Sequence, residues 1–453
     1  MGIENLLPKA FLEQMQALLG AEFEAFLQAL DAPAPTSIRW HLKKNKSKEN
    51  FDKVKWYSDG VYLTERPIFT LDPTFHAGSY YVQEAASMLV AAAVRQLIDP
   101  QEPLAVLDLC AAPGGKSTLL ATILSETSFI LCNEVIKSRY PILRENLIKW
   151  GYPNVHSLSQ DSQDFAGLEG FFDLVLVDAP CSGEGLFRKD KKAIAEWSPD
   201  SVQRCAARQK RILADAVKTV KPGGNLLYCT CTYNDLENEE NAAWLLQTFG
   251  LERVPLSIPT DWGIQAKNIG YQCYPHKVRG EGFYIACFKK TSGTSFKAPK
   301  NLAFQKWKPL QATPMLQKWL KTPADFYFFQ DEKGAAFAVL KSQLEHCQLI
   351  AQQFRHWNLG LEIGTIKGKD FIPSHALALS TAIAPDLPAV ALDKERALRF
   401  LKKENIPLDF IPESWALVTF EQQTLGWIKG IGNRVNNYFP KDWRILMELP
   451  SEL

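Results

Sequence analysis

Two short runs carry residue types that do covalent chemistry. Asp178-Ala179-Pro180-Cys181-Ser182-Gly183 and Cys229-Thr230-Cys231-Thr232 each close an apolar stretch, so each presents a thiol at the end of an expected strand. Methyl transfer to an amine has no use for a thiol. Methylation of carbon 5 of a pyrimidine does, because that carbon is a poor nucleophile. A thiolate adding to carbon 6 turns the ring into an enamine, whose carbon 5 can attack a methyl sulfonium. A carboxyl group hydrogen-bonded to ring nitrogen 3 stabilises the charge that develops, and Asp178 is placed for that if its proton is available. Strand order and chemistry put Cys181 and Cys231 at such a centre without ranking them.

A methyl donor needs its own site. Asp108-Leu109-Cys110-Ala111-Ala112-Pro113-Gly114-Gly115-Lys116-Ser117 follows an apolar strand and opens a helix. Glycines there let the backbone approach a ligand, and helix N-terminal amides hold an anionic group. Gly115-Lys116-Ser117 matches the end of a nucleoside-triphosphate loop, but the first glycine of that pattern falls on Cys110, which argues against an NTPase. S-adenosylmethionine fits better. Glu134 lies 19 residues after Gly115 (134 − 115), just past the next strand, where a carboxylate takes a ribose diol. Asp161 follows the third strand, where a carboxylate can take the adenine amino group.

The other cysteines, Cys110, Cys132, Cys205, Cys229, Cys273, Cys287 and Cys347, read as small buried hydrophobes as far as catalysis goes. No metal site is expected, since neither a C-x-x-C nor a matching His pair accompanies Cys229 and Cys231.

The elements that must position these groups alternate. Apolar strands at 104–109, 129–132, 155–158, 173–177 and 225–231 are separated by helices beginning near 118, 138 and 201. Continuous apolar strands between helices predict an α/β fold with a doubly wound, Rossmann-like parallel sheet, which binds ligands at the carboxyl ends of its strands. The motifs above all fall at such ends. Before this domain, helical periodicity over 9–30 stops at Pro33 and Pro35, 61–69 reads as strand and 83–97 as helix. After it comes a linker at 289–308, a mixed segment to about 390, then a helix at 394–403 and strands at 415–420 and 424–429. The expected division is an α+β region at 1–75, the doubly wound domain at 76–290, a linker and first C-terminal module at 291–390, and a β-rich module at 391–453.

Composition excludes some classes. With 46% hydrophobic and 22% charged residues the chain is an ordinary globular one, and its apolar runs fall short of the ~20 residues of a membrane span. Residues 1–30 read as amphipathic helix rather than signal peptide. Nine cysteines in no disulfide-scaffold spacing suit a reducing, cytoplasmic setting. Net charge is +1, so no global basic excess announces nucleic acid; the distribution says more. Residues 39–55 hold seven basic residues against two acids, with Trp40 and Phe51 among them and Trp56 directly after. Residues 289–308 hold six lysines and no acid, with Phe296, Phe304 and Trp307. Cations that neutralise phosphates beside aromatics that stack on bases suit RNA, although such runs are more often solvated loops.

Together, D-L-C-A-A-P-G-G-K from Asp108, D-A-P-C-S-G from Asp178 and T-C-T-Y-N-D-L-E-N-E from Thr230 resemble the Nop/Sun family of RNA cytosine-5 methyltransferases. Tyr80-Tyr81-Val82-Gln83-Glu84 and the run Pro275 to Phe283 resemble its bacterial branch, and the layout resembles the bacterial 16S rRNA methyltransferase F group. Gly426-Trp427-Ile428-Lys429 and Asn437-Tyr438-Phe439-Pro440-Lys441 look like the core of a PUA domain, more loosely. The resemblance implies an N-terminal RNA-binding region and a PUA-like last module. It ranks the thiols: Cys231 matches the nucleophile, and Cys181 the cysteine that assists release. It implies a S-adenosylmethionine site lined by Cys110, Ala111, Ala112, Pro113, Gly114, Gly115, Lys116, Glu134, Asp161 and Asp178, with Arg139 as a further candidate and Lys116 in reach of the target base. Cys229 departs from the pattern, where relatives more often carry Ser.

The expected partner is ribosomal RNA or the small ribosomal subunit, with no membrane and no DNA; the E-N-V motif of DNA cytosine-5 methyltransferases is absent. A monomer is expected. Two readings compete: the same chemistry on tRNA, and a non-catalytic ribosome-assembly factor, which the intact Cys181, Cys231 and Asp178 argue against.

Overall fold

Asp108, Asp178 and Thr230 end three neighbouring parallel strands, and the fold is built around that fact. The computed structural model describes residues 2–44 and 51–450; the cations Lys46 and Lys48 of the first basic run lie outside them. The main sheet runs Val220–Thr230, Phe172–Asp178, Ala105–Asp108, Phe129–Asn133, Val155–Leu158, all parallel. The chain leaves Ala105–Asp108 toward one edge and returns to build the other. This reversal makes a switch point between Ala105–Asp108 and Phe172–Asp178, where open α/β sheets bind ligands. Phe283–Lys289 pairs antiparallel with Val220–Thr230 and extends the sheet. Apolar residues fill both faces, as a sheet covered by helices on two sides requires.

The far edge is closed by a distant piece of chain. Trp357–Asn358, from the first C-terminal module, pairs antiparallel with Val155–Leu158. An edge strand presents unpaired amides and carbonyls, and this addition covers them. The module itself is a sheet of five antiparallel strands between Lys308 and Pro373. The last module is a four-stranded sheet of Ala389–Ala391, Trp415–Phe420, Gln423–Ile431 and Arg434–Asn437, packed on the helix Lys394–Lys402. The N-terminal region holds a four-stranded sheet that includes Tyr80–Val82, and two helices, Lys9–Leu19 and Phe23–Asp31, whose Phe11 and Phe26 pack on Phe187, Trp197 and Tyr233 of the central domain.

Several expectations shift. The single helix over 9–30 is two, because Gly20 takes a positive φ and turns the chain. The strand expected at 61–69 is Tyr57–Leu63, with Pro67 beyond its end. The helix expected from Gln83 starts later, with 3-10 geometry at Ala86–Met88 and α-helix at Leu89–Leu97; the Glu84 carboxylate accepts the amides of Ala86 and Ser87.

The two basic-aromatic runs change character most. Arg39 is fully buried and donates to Gln83, Thr118 and Gly115, with its guanidinium 4.3 Å from the centroid of the Trp150 ring. Trp56, Phe304 and Trp307 are buried, the last two against Phe329. These side chains join modules together and are not free to stack on bases.

Candidate active site

The first strand ends at Asp108 and the chain turns through Gly114, whose φ of 112° only glycine adopts without strain, into the helix Gly115–Ile123. The turn forms one wall of a cavity of about 740 Å³ at the switch point. Cys110, Ala111, Ala112, Pro113, Gly115, Lys116, Glu134, Arg139, Asp178, Cys181 and Cys231 all line it. Gly114 is the hinge of the turn behind that wall. Asp161 is the one expected carboxylate that the lining does not include. It caps the 3-10 turn Ser162–Leu168, and its Oδ1 accepts from Arg211 at 2.7 Å, while Arg211 itself faces the cavity.

Each polar wall group has a visible constraint. Glu134 is buried; its Oε1 accepts the Ile136 amide at 2.8 Å, and Arg139 stands 3.6 Å from its Oε2. Arg139 also donates to the Ala112 carbonyl at 2.6 Å, so it ties the Glu134 side to the glycine turn. Asp108 is fully buried: Oδ2 accepts from Ser117 at 2.6 Å, while Oδ1 has no partner. Burial pushes its carboxyl up to about 7. Lys116 Nζ lies 2.7 Å from Asp178 Oδ2. Burial works against the Lys116 charge, but the Asp178 carboxylate outweighs it and holds the ammonium above its usual range.

The thiols meet. Cys181 Sγ and Cys231 Sγ are 3.0 Å apart, and the Cys231 amide points at Cys181 Sγ at 3.3 Å. The hydrogen bond to Cys231 and burial push the Cys181 thiol well up, so it stays protonated near neutral pH. Cys132, Cys229, Cys273, Cys287 and Cys347 are fully buried in apolar surroundings, and Cys229 does not line the cavity. Cys110 does line it, with a thiol that burial also pushes up.

Sequence reasoning missed several members of this wall. Tyr81, Gln83, Glu84, Arg208, Arg211, Glu281 and Phe283 also line the cavity, from segments far apart in sequence. The runs around Gln83 and Glu281 carried a signal as motifs, but spacing gave them no role. Among the described residues no group of three or more His, Cys, Asp or Glu side chains could hold a metal ion.

A doubly wound sheet with a glycine turn, a buried carboxylate after the second strand and two thiols around one switch-point cavity defines a Rossmann-like methyltransferase. The comparisons with known proteins carry this further. Residues 95–289 match the family described as 16S rRNA methyltransferase RsmB/F, residues 7–85 the N-terminal domain of 16S rRNA methyltransferase RsmF, and residues 387–445 the methyltransferase RsmF PUA domain. The chain is 30% identical to ribosomal RNA small subunit methyltransferase F of Escherichia coli O139:H28, over 96% of each chain. The protein of that name from Shigella boydii serotype 4 matches equally. Among solved structures, a methyltransferase homolog from Pyrococcus horikoshii superposes with a TM-score of 0.55 at 30% identity, covering 63% of this chain and 97% of its own. NSun6 from the same organism shares the fold, with a TM-score of 0.54 at 21% identity and coverage of 63% and 99%. The chain belongs to the RsmB/F family of 16S rRNA methyltransferases, with the N-terminal and PUA domains of its RsmF members.

Proposed function

We propose that the protein transfers a methyl group from S-adenosylmethionine to carbon 5 of a cytosine in 16S rRNA, through a covalent bond between Cys231 and carbon 6. The observation that carries this reading is the pair of thiols 3.0 Å apart on the wall of the switch-point cavity. A methyltransferase acting on nitrogen or oxygen needs neither.

The residues present fit the donor. Asp108 Oδ1 is a buried acceptor without a partner on the cavity wall, suited to an ammonium group. Glu134 is held by the Ile136 amide with its second oxygen available to a ribose diol. The turn from Cys110 to Lys116 supplies the helix N-terminus, and Arg139 braces Glu134 against it; Asp161 acts from behind, through Arg211. When bound there, S-adenosylmethionine supplies an electrophilic methyl group.

Cys231 adds to carbon 6, and Asp178 with Lys116 faces the ring edge whose nitrogen 3 gains electron density. After transfer, carbon 5 loses its proton to a base and the Cys231–carbon 6 bond breaks. The Cys181 thiol, held protonated beside Cys231, is placed to return a proton to the departing sulfur.

The test uses tritiated S-adenosylmethionine with 16S rRNA and small subunits from a strain lacking the protein. Label is expected on cytosine carbon 5, with Cys231→Ala inactive and forming no adduct. Cys181→Ala is expected to accumulate a protein–RNA adduct that survives denaturing electrophoresis. Adducts from Cys231→Ala but none from Cys181→Ala would reverse the two roles. Label on tRNA alone would remove the ribosomal substrate, and no label on any RNA would remove the activity.

A further inference from the structure

The two loops that carry the thiols hold each other through carboxylates. Glu184, three residues after Cys181, is fully buried. Its Oε2 accepts the backbone amides of Tyr233 at 2.8 Å and Asn234 at 3.0 Å, on the loop after Cys231. Glu237, six residues after Cys231, is also fully buried. Its Oε2 accepts the amide of Ser182, next to Cys181, at 3.0 Å, and Gln209 Nε2 at 2.7 Å. Each loop thus lends a carboxylate to the other loop's backbone. Asn234 joins the two: its Nδ2 donates to Glu184 Oε1 at 3.0 Å and to Glu237 Oε1 at 2.8 Å.

Burying two carboxylates close together is costly, and only donors aimed at their oxygens offset it. Every partner named is a neutral donor. Trp197 Nε1 at 3.1 Å and Gln14 Nε2 at 3.0 Å bring the donors on Glu184 to five. Gln14 comes from the helix Lys9–Leu19, so the N-terminal domain reaches the back of the reaction centre.

We propose that Glu184 and Glu237 form a reciprocal clamp that sets the Cys181–Cys231 separation, which makes both of them positioning residues for methyl transfer. The proposal rests on the covalent mechanism above. A thiol moved by about 1 Å loses its attack geometry, which costs about 100-fold in rate without a change in substrate binding. Glu→Gln keeps the shape but turns a carboxamide NH2 toward a donor, which breaks the clamp at one point.

The test reads spacing and rate separately on the full chain. Phenylarsine oxide bridges two neighbouring thiols: two As–S bonds form, and both thiol protons leave with the oxide oxygen as water. The wild type is expected to capture one equivalent that resists excess monothiol, and Cys181→Ala and Cys231→Ala are expected to lose it. Glu237→Gln and Glu184→Gln should weaken capture at least about tenfold and lower kcat about 100-fold, with KM for RNA unchanged. Gln14→Ala, outside the catalytic domain, removes one donor of five and should move both readouts the same way by a few-fold; it decides the matter if the glutamate variants do not fold. Capture that stays tight while kcat falls, or kcat unchanged where capture is lost, overturns the clamp. If the wild type shows no Cys231-dependent methylation, the function reading fails while the capture measurements still report on spacing.

Discussion

Lys116 and Asp178 show why a residue type in a motif does not declare its task. Lys116 sits in the glycine turn, yet its ammonium rests against Asp178 at the end of another strand, 5.1 Å from the centroid of the Phe283 ring. Asp178 Oδ2 lies 2.7 Å from that ammonium, so in the proposed mechanism the two groups face the ring as a pair rather than singly. Lys116→Gln removes the charge and leaves Asp178 without its partner. It should lower single-turnover methyl transfer about 100-fold, in line with the loss of one preorganised charge-stabilising group. Equilibrium binding of S-adenosylmethionine, measured by calorimetry, should change much less. An equal loss in both would assign Lys116 to cofactor binding alone.

At the scale of elements, the centre depends on strand ends and on the loops leaving them. The ends at Asp108, Asp178 and Thr230 are adjacent because the sheet reverses direction beside Ala105–Asp108. Beyond the last two strands the loops come into backbone contact at Gly185. A Cβ there would stand 2.7 Å from the Gly282 carbonyl and 2.9 Å from the Cys231 carbonyl, and the Gly185 amide donates to that same Cys231 oxygen at 2.9 Å. Neither neighbour is the end of a flexible side chain, so Gly185→Ala must move the Cys231 loop. The variant should lose about 1–3 kcal/mol in chemical denaturation, as overpacked sites do. Methylation should fall at least about tenfold with unchanged RNA binding. A wild-type rate in a stably folded Gly185→Ala protein would show that the loops need not approach so closely.

At the scale of the molecule, two buried histidines, His41 and His156, and the half-buried His375 sit where modules meet. His41 Nε2–H donates to the Trp150 carbonyl at 2.8 Å, while its Nδ1 accepts the amides of Lys43 and Lys44. His156 accepts the Gly360 amide on Nδ1 at 3.1 Å and donates from Nε2 to Gln343 at 2.9 Å. His375 lies between Phe439 and Trp443 with no partner for either nitrogen. Burial lowers all three, His156 to about 4, His375 to about 3 and His41 to about 2. In each case the unfolded chain binds the proton more readily than the folded one. The stability they confer is therefore complete above the ordinary histidine pKa of about 6.5, and it is lost as pH falls from there toward 4 and below. Tm should fall across this window, and limited proteolysis should cut between modules before the central sheet opens. His156→Gln should flatten part of that slope; an unchanged pH profile would remove this histidine from the seam.

How much of this was legible in the chain follows from range. The chain alone shows the parallel sheet, because apolar runs and helical periodicity are local patterns. It also placed the glycine turn, Glu134 and both thiols on one cavity, because each ends a strand, and strand ends of such a sheet share one side. The resemblance also held beyond the catalytic motifs, to the N-terminal domain at 7–85 and the PUA domain at 387–445. Which partner each group has emerges from the packing of distant segments. Arg39, Trp56, Phe304 and Trp307 looked like a surface for RNA and are buried joints, since charge and aromaticity do not reveal burial. Asp161 looked like a wall of the site and stands behind Arg211. Glu184 and Gln14 were unremarked, and Glu237 stood in the run from Thr230 without a role, until the fold brought segments 170 residues apart into hydrogen-bond contact. A carboxylate's task is set by the donors within about 3 Å of it, and those donors come from whatever segments the packed core brings there.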